Sequence, residues 1–391
     1  MKKHSFLITF ILLSLFTFLS YSYQRENYED VIKPYINIES ESLGTIRNIE
    51  FYSISNHPSL IILSTKNEQG IDYSYLNLLD INTNKITQID KYKSHKYLNN
   101  FVTRDHFSSY NIITACNYGI VNTEVEYDDD GLLKFNPEKQ DIFKFENADS
   151  MDFKNGALFF SSKGDDLIYK QILHNDFFAS FTNNNTPNQQ TFYKKPLYIV
   201  NSNSLDGCLS YTKVNKDRLD LYRMYYGGES IDIFNKPLIK NIVHARELYN
   251  SYGFIGMNIN SDSKLNIFMI RNQSEDQDNY KIDTIDYNTD MFGSVPSIDS
   301  LTFNEDYTLV YTSYDKNNKG KITSIGYTLH KYQQHPKTIL EDENLYGPVR
   351  IQKYKVNDKY VKNIMYFTYE DGLTKVNFCD MDGNKIKSIS L

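Results

Sequence analysis

The sequence predicts an all-β protein, a seven-bladed β-propeller built from four-stranded antiparallel sheets. Seven short apolar segments recur at intervals of roughly fifty residues, and each ends in small and then polar side chains. After most of them, a turn leads into a strand in which apolar and polar residues alternate. A repeat of this length, made of strand-type residues, is typical of propeller blades. Six or eight blades are the alternatives, because the first two units are the least regular. The segments are Leu60–Lys66, Asn111–Asn117, Ala157–Lys163, Gly207–Lys213, Leu265–Arg271, Thr308–Tyr314 and Ile364–Glu370.

Residues 1–22 have the pattern of a secretory signal peptide. Lys2 and Lys3 form a basic start, Ser5–Leu19 is an almost unbroken apolar run, and Ser20 and Ser22 supply small residues for cleavage. The run is shorter than the about 20 residues that a membrane span needs, and an uncleaved anchor is the competing interpretation. We expect a secreted protein, in the secretory-pathway lumen or outside the cell, or in the periplasm of a bacterium. No later stretch has the length and apolarity of a membrane span.

Residues 23–45 form a polar leader before the predicted propeller at 46–391. One part of the leader, Val31–Ile38, has strand character, and its pairing with the last blade would remove an open sheet edge. A flexible leader that ends where the propeller begins is the alternative.

Charge and composition narrow the class of partner. The chain has 42 Lys and Arg against 49 Asp and Glu, for a formal net charge of −7. Nucleic acids and anionic membranes require clustered basic residues, so neither is expected as a partner. The 33 Tyr and 24 Phe suit strands, and Trp is absent. Heavy use of Lys, Asn, Ile and Tyr also indicates an AT-rich genome.

The repeat predicts the order of strands within a blade. Aligning the segments gives two adjacent apolar columns, one starting at Ile62 and the next at Leu63. Such a strand is covered on both faces, as expected for an inner strand stacked between blades. An alternating strand, a hairpin rich in Asp, Asn and Gly, and a short outer strand follow. The predicted hairpins are Asp80–Asn84, Asp286–Asp290 and Asp380–Asn384, and the clearest outer strands are Lys85–Ile89 and Lys385–Ile389.

The sixth and seventh units resemble a known repeat. Ser300–Ser313 is similar to the WD40-like (PD40) repeat of TolB-type propellers, with Asn304, Glu305 and Asp306 where that family has Ser-Pro-Asp. Tyr307 replaces the glycine of the family's turn, and Asp380–Asn384 matches its usual hairpin after the third strand. The resemblance implies the propeller fold, and a shared fold does not by itself imply a function.

The three cysteines, Cys116, Cys208 and Cys379, fall in the second, fourth and seventh units. These units are not neighbours in the predicted ring, and a disulfide needs Cα atoms within about 7 Å of each other. We therefore predict three unpaired thiols, mostly buried in strands.

Two segments, Asn122–Ser150 and His174–Pro196, are predicted to be insertions, which in repeat proteins usually map to loops. Phe177, Phe178 and Phe181 lie in the second of these. They are candidate contacts for a partner protein, and the alternative is that they fold back as a small satellite core.

An acidic stretch is a candidate calcium site. Glu126, Asp128 and Asp130, followed by Gly131, have the alternating oxygen ligands of the first half of a calcium loop, but Pro137 stands where the loop needs a glutamate. A solvated hairpin turn is the alternative. The histidines have no metal-ligand spacing, and no cofactor is predicted.

Two sequons are candidate glycosylation sites in predicted loops, at Asn184 and Asn272. They matter only if the source glycosylates its exported proteins, and chance matches are common in a chain rich in Asn.

The functional prediction is a secreted, non-catalytic scaffold that binds another protein. The sequence has no G-x-S-x-G nucleophile motif, no P-loop and no dinucleotide fingerprint. One alternative is a propeller hydrolase or lyase whose site lies at the central channel, formed by residues of different blades. The other is a structural protein of a cell or spore surface.

Overall fold

The computed structural model describes residues 38–391 except 55–56, 94–100, 107–108, 117–118, 128–132, 144–147, 155–156, 163–167, 173–197, 204–207, 216–217, 226–238, 248–253, 260–264, 273–279, 290–296, 304–305, 316, 318, 329–330, 333–335 and 357–358. Within these residues the secondary structure consists of 28 strands in seven antiparallel sheets, and no helix is present. The predicted all-β class is therefore confirmed.

Each sheet consists of strands that follow one another in the chain. The first contains β1 (Ile38–Ser40), β2 (Gly44–Ile54), β3 (His57–Glu68), β4 (Ile71–Asp80) and β5 (Ile86–Lys93). The second contains β6 (Phe101–His106), β7 (Ser109–Cys116), β8 (Gly119–Tyr127) and β9 (Leu133–Phe143). The third contains β10 (Ala148–Lys154), β11 (Ala157–Ser162) and β12 (Ile168–Ile172), and the fourth β13 (Tyr198–Asn203), β14 (Cys208–Asn215) and β15 (Arg218–Tyr225).

The remaining three sheets complete the described chain. The fifth contains β16 (Ile242–Glu247), β17 (Phe254–Ile259), β18 (Leu265–Asn272) and β19 (Tyr280–Thr289). The sixth contains β20 (Ile298–Phe303), β21 (Asp306–Tyr314), β22 (Gly320–Thr328), β23 (Lys331–Tyr332) and β24 (Lys337–Asp342), where β23 and β24 both pair with β22. The seventh contains β25 (Arg350–Val356), β26 (Lys359–Glu370), β27 (Leu373–Cys379) and β28 (Lys385–Ser390).

Neighbouring sheets pack against each other in chain order. Leu63 of the first sheet shares a buried core with Val121 of the second. From the second sheet to the fifth, the first strands β6, β10, β13 and β16 approach one another in turn. Further buried cores join the fifth sheet to the sixth and the sixth to the seventh.

The seventh sheet also packs against the first. Their shared core includes Ile49 and Ile62 from the first sheet and Phe367 and Val376 from the seventh. Sheets that stack in sequence around a ring, with the last on the first, form a β-propeller. The two apolar columns fit this arrangement, since Ile62 faces the seventh sheet and Leu63 faces the second.

The alignment of the fifth unit was wrong by one strand. When the short strand β1 is left out of the count, so that β2 is the first strand of the first sheet, six of the seven segments lie in the second strand of their sheet. Leu265–Arg271 lies in β18, the third strand. The second strand there is β17, and its Ile255 and Met257 are as fully buried as Ile267 and Met269 of β18. Because both strands are buried, both have an apolar sequence, and the apolar pattern alone did not identify the second strand.

Of the three predicted hairpins, Asp80–Asn84 and Asp380–Asn384 are confirmed. In each, the Asp side chain accepts hydrogen bonds from main-chain amides of the turn, at 2.8 to 2.9 Å for Asp80 and 2.9 Å for Asp380. The hairpin predicted at Asp286–Asp290 is wrong, because Asp286 and Thr289 lie inside β19 and pair with β18.

The insertion predicted at Asn122–Ser150 is also wrong. Residues Gly119–Tyr127 and Leu133–Phe143 pair as the third and fourth strands of the second sheet. The polar sequence of β9 suits an outer strand, which has only one neighbour. The other predicted insertion, His174–Pro196, lies outside the described residues.

The N-terminal leader is described only from Ile38. Residues Ile38–Ser40 pair with β2 of the first sheet. The main-chain carbonyl of Glu39 also accepts a hydrogen bond from the Thr374 hydroxyl of the seventh sheet. This short strand therefore contacts both sheets at the junction between the seventh sheet and the first.

Candidate interaction surface

One end of the propeller presents the turns that join the second strand of a sheet to the third. We call this end of the sixth, seventh and first sheets the hairpin face. Its turns are residues 371–372, residues 69–70 and the segment between β21 and β22, of which Asp315, Asn317 and Lys319 are described. The connections 343–349 and 41–43 lie at the same end.

Two of these turns have the same two-residue geometry. Gln69 and Gly70 have φ angles of 54° and 81°, and Asp371 and Gly372 have φ angles of 52° and 80°. Positive φ at both central residues matches the twist of the flanking strands, and Asp-Gly is a favoured sequence for such a turn. In the seventh sheet the turn follows Glu370, which pairs with Leu373.

An aromatic pair lies beside the seventh-sheet turn. The rings of Tyr346 and Tyr369 are tilted at 50°, with centroids 6.4 Å apart, within the range of favourable aromatic pairs. The Tyr369 amide donates to the Asn344 carbonyl at 2.9 Å, and the Tyr346 amide donates to the Phe367 carbonyl at 2.9 Å. The connection from the sixth sheet is thus fixed along β26, and Tyr369 stays 48% exposed.

Carboxylates border this aromatic pair. Glu370 accepts from Lys375 Nζ at 2.7 Å and from Asn344 Nδ2 at 3.3 Å. The Lys375 hydrogen bond holds the pKa of Glu370 below its usual value, and Glu370, with Asp371, raises the pKa of Lys375. Lys375 is therefore occupied by the carboxylate on its own sheet.

The sixth-sheet side of the hairpin face follows the same pattern. Lys319 Nζ and a carboxylate oxygen of Glu341 are 2.9 Å apart, and both side chains are about half exposed. Glu341 first, then Asp315 and Glu343, raise the pKa of Lys319. Three carboxylates among the described residues of this side therefore act on Lys319.

The first-sheet side contributes Glu39, whose carboxylate accepts from the Thr45 hydroxyl at 2.9 Å. Burial, followed by the nearby charge of Glu39, raises the pKa of Tyr346. Glu39 therefore lies within electrostatic range of the aromatic pair. Lys66 is exposed beside Gly44, next to the 41–43 connection, and Arg47 donates to the Thr65 hydroxyl at 3.1 Å, so this side of the face also carries basic groups.

The side chains beside the first-sheet turn form a cluster in which the charged and aromatic groups contact one another. Lys91 Nζ is 2.6 Å from Glu68 and lies 4.0 Å from the ring centre of Tyr73. Tyr75 also donates to Glu68. Because cation, anion and aromatic rings are already matched here, this part of the face offers little to a partner.

Large exposed hydrophobic side chains collect on the seventh sheet. Among the residues whose exposure the structure describes, the four such side chains are Tyr360, Tyr369, Leu373 and Ile386. All four lie in β26, β27 or β28. Exposed aromatic residues of this kind are typical anchors at protein interfaces.

Charged and polar groups of the inner strands join neighbouring sheets. Asp299 of β20 accepts from the Ile351 amide of β25 at 2.9 Å, and Ser297 accepts from the Val349 amide at 3.2 Å. Arg350 of β25 is 2% exposed and lies 3.2 Å from the Glu50 carboxylate of β2. These groups hold the ring together. Among the residues that the structure describes, no three His, Cys, Asp or Glu side chains form a metal-binding group.

The residues predicted as sites from the sequence lie mostly outside the described part. Glu126 lies in β8, where its main chain pairs with Lys134 of β9, while Asp128 and Asp130 are not described. Phe177, Phe178, Phe181 and Asn184 are also outside the described residues. Asn272 is the last residue of β18, opposite Tyr280, so its sequon begins at a strand end and not in a loop.

The cysteine prediction holds where the structure describes it. Cys116, Cys208 and Cys379 lie in β7, β14 and β27, in three different sheets. Cys379 is a buried free thiol, and burial raises its pKa to about 12.

The sequence prediction missed Tyr346, Tyr369 and Leu373. A signal was available for Tyr369, which occupies an alignment column where five of the other six units have Ser, Thr or Cys. A large aromatic side chain at that position reaches the surface beside the turn.

Comparisons with known proteins support the fold. No protein-family model and no curated protein matches the chain. A puromycin-hydrolyzing peptidase of Mycobacterium tuberculosis is similar over 91% of this chain and 56% of its own, with a TM-score of 0.52 and 9% identity. Hydrazine synthase of Kuenenia stuttgartiensis has a TM-score of 0.49 at 10% identity, over 87% of this chain and 96% of its own.

TolB from Acinetobacter baumannii is also among the similar structures, with a TM-score of 0.39 and 11% identity, over 84% of this chain and 79% of its own. At such identities a likeness concerns the fold alone. No helix in the described part of the chain is both long and apolar enough to cross a membrane.

Proposed function

We propose that this chain is a secreted, seven-bladed β-propeller that serves as a non-catalytic scaffold for another protein. In this proposal residues 1–22 are a cleaved signal peptide, residues 23–45 a leader whose described end, from Ile38, joins the first sheet, and residues 46–391 the rest of the propeller. The seven described sheets, with the seventh packed on the first, support the blade number.

The observation that carries the proposal is that, among the residues whose exposure the structure describes, the large exposed hydrophobic side chains all lie on the seventh sheet, at Tyr360, Tyr369, Leu373 and Ile386. Exposing large apolar side chains gives nothing to the isolated protein, whereas burying them against a partner is favourable. A stacked ring also holds the turns in fixed positions, which lowers the ordering cost of binding. The scaffold role fits these features without requiring chemistry at the inner strands.

Photo-crosslinking tests the proposal at single positions. A photoreactive phenylalanine replaces Tyr369 in one variant and Asp382, an exposed residue of the hairpin at the opposite end of the seventh sheet, in a matched control. Each variant is expressed in cells of the source organism and irradiated, and adducts are identified by mass spectrometry. We expect one discrete protein adduct at Tyr369 and none at Asp382. Equal labelling at both positions, or no adduct at Tyr369, would contradict a scaffold that uses this surface.

A further inference from the structure

We propose that the partner contacts the hairpin face through a basic segment that also carries an apolar residue. This inference rests on the scaffold role proposed above and assigns its chemistry. The apolar residue would pack against Tyr369 and Tyr346, and its flanking Lys or Arg would face the surrounding carboxylates.

The anchor for an apolar side chain is the aromatic pair. Tyr369 is half exposed while Tyr346 is partly buried against the core of the first and seventh sheets. The main-chain hydrogen bonds that Tyr369 and Tyr346 donate to the Asn344 and Phe367 carbonyls fix both residues before any partner binds. A contact to a rigid aromatic surface loses little conformational entropy on binding.

The charge of the hairpin face determines whether a basic or an acidic partner segment is favoured. Glu41, Glu343 and Asp371 are exposed, and within the described residues none of the three forms an ion pair. Two lysines of the hairpin face, Lys319 and Lys375, are already paired with Glu341 and Glu370. The three carboxylates without an ion pair therefore favour a cationic segment and disfavour an acidic one.

The opposite end of the same sheet supplies a comparison. Tyr360 is more exposed than Tyr369, at 58%, but a lysine lies over its ring, with Lys353 Nζ 5.2 Å from the centre. Asp382 at that end is paired with Lys337 at 2.7 Å. Exposed aromatic residues and carboxylates thus occur at both ends, but only the hairpin face leaves carboxylates available near its aromatic anchor in the described residues.

The test measures binding of two fluorescent synthetic peptides to the full chain by anisotropy. One peptide is rich in lysine with a single leucine and a single phenylalanine, and the other has glutamine in place of every lysine. We expect the lysine peptide to bind at least about tenfold more tightly at low ionic strength, and the difference to shrink as salt is added.

Two variants with matched controls locate the site. Tyr369→Ala should weaken binding of the lysine peptide by about tenfold, while Tyr360→Ala on the same strand leaves it unchanged. Asp371→Asn should weaken it about threefold, while Asp382→Asn leaves it unchanged. Asn tolerates the positive φ of position 371, so this substitution preserves the turn.

The outcomes separate this inference from the scaffold role. Equal binding of the two peptides, or equal loss in the matched controls, would overturn the basic-segment inference. If crosslinking at Tyr369 then still yields a partner that contacts it through an acidic or neutral segment, the scaffold proposal stands alone. No adduct at Tyr369 would remove the scaffold proposal itself.

Discussion

The junction between the sixth and seventh sheets and the junction between the seventh and first are built alike at their outer edge. Lys337 Nζ of β24 lies 3.4 Å from the carbonyl of Met381, in the hairpin of the next sheet. Lys387 of β28 donates to the carbonyl of Ile81, the equivalent residue of the first-sheet hairpin. The same contact repeats where the ring closes.

The inner edges of the two junctions differ. Between the sixth and seventh sheets, Asp299 and Ser297 bind main-chain amides. Between the seventh and first, Arg350 lies against Glu50 and the Ile49 carbonyl, and Ile38 adds a buried side chain to the shared core.

Chain connectivity explains the difference. Residues 343–349 connect the sixth sheet directly to the seventh, whereas the seventh and first are joined only through the whole ring. A short connection keeps two sheets at high effective concentration, and closing a long loop costs more entropy. At the junction of the seventh and first sheets, the Arg350–Glu50 ion pair and the strand β1 therefore supply stability that a short chain connection provides at the other junction.

The largest expected effect is on Arg350. Arg350→Met keeps the apolar stem but removes the charge, and leaves the partly exposed Glu50 carboxylate and the Ile49 carbonyl without this donor. Breaking a buried pair typically costs 3–5 kcal/mol, so we expect about 3 kcal/mol of lost unfolding free energy by urea denaturation. Lys385→Met, at an exposed position of the same sheet, is the control. Equal stability of the two variants would show that the ion pair does not hold the ring closed.

The second largest loss of stability is expected for substitution of Ile38. It is 1% exposed in the core shared by the first and seventh sheets, and Ile38→Ala should cost about 2 to 3 kcal/mol. Ile339→Ala, in the core of the sixth and seventh sheets, is the matched substitution at the connected junction. A loss at Ile38 below about 0.5 kcal/mol in urea denaturation would mean that the N-terminal strand is not needed for closure.

Much of the fold could be predicted because second strands are apolar on both faces and their period is regular. The Asp80 and Asp380 hairpins were recognisable from residues that tolerate positive φ, and the structure has Asn84 and Gly383 at φ 61° and 86°. The fifth unit failed because β17 and β18 are equally buried, so the apolar pattern alone could not rank them.

The candidate surface and the closing contacts were harder to predict. Arg350 and Glu50 are 300 residues apart, and nothing local in the sequence marks a charge that becomes buried by ring closure. Tyr369 was visible only as a large residue in a column of small ones. Its exposure depends on the connection from the sixth sheet, through Asn344 and Tyr346, which no repeat pattern contains.

A smaller loss of unfolding free energy is expected at the junction of the sixth and seventh sheets, which residues 343–349 connect directly. Asp299→Asn keeps an oxygen that can accept from the Ile351 amide but removes the negative charge. Hydrogen bonds to charged groups exceed neutral ones by about 1 kcal/mol, which is the expected loss. Urea denaturation beside Arg350→Met measures the contrast, and a loss at Asp299 as large as that at Arg350 would contradict the distinction between the junctions.

The smallest effect is expected where the junctions agree. Lys337→Met removes contacts to the Met381 carbonyl and the Asp382 carboxylate, and Lys387→Met removes contacts to the Ile81 and Asn82 carbonyls. Partly exposed contacts of this kind contribute less than about 1 kcal/mol. Both losses should stay below this value, because each lysine reaches the same position of an equivalent turn. A larger loss at Lys387 would mean that the closing junction depends on its outer edge as well, and the double variant with Arg350→Met would then show coupling beyond the sum of the separate losses. Additive losses would place the difference between the junctions at the inner strands alone.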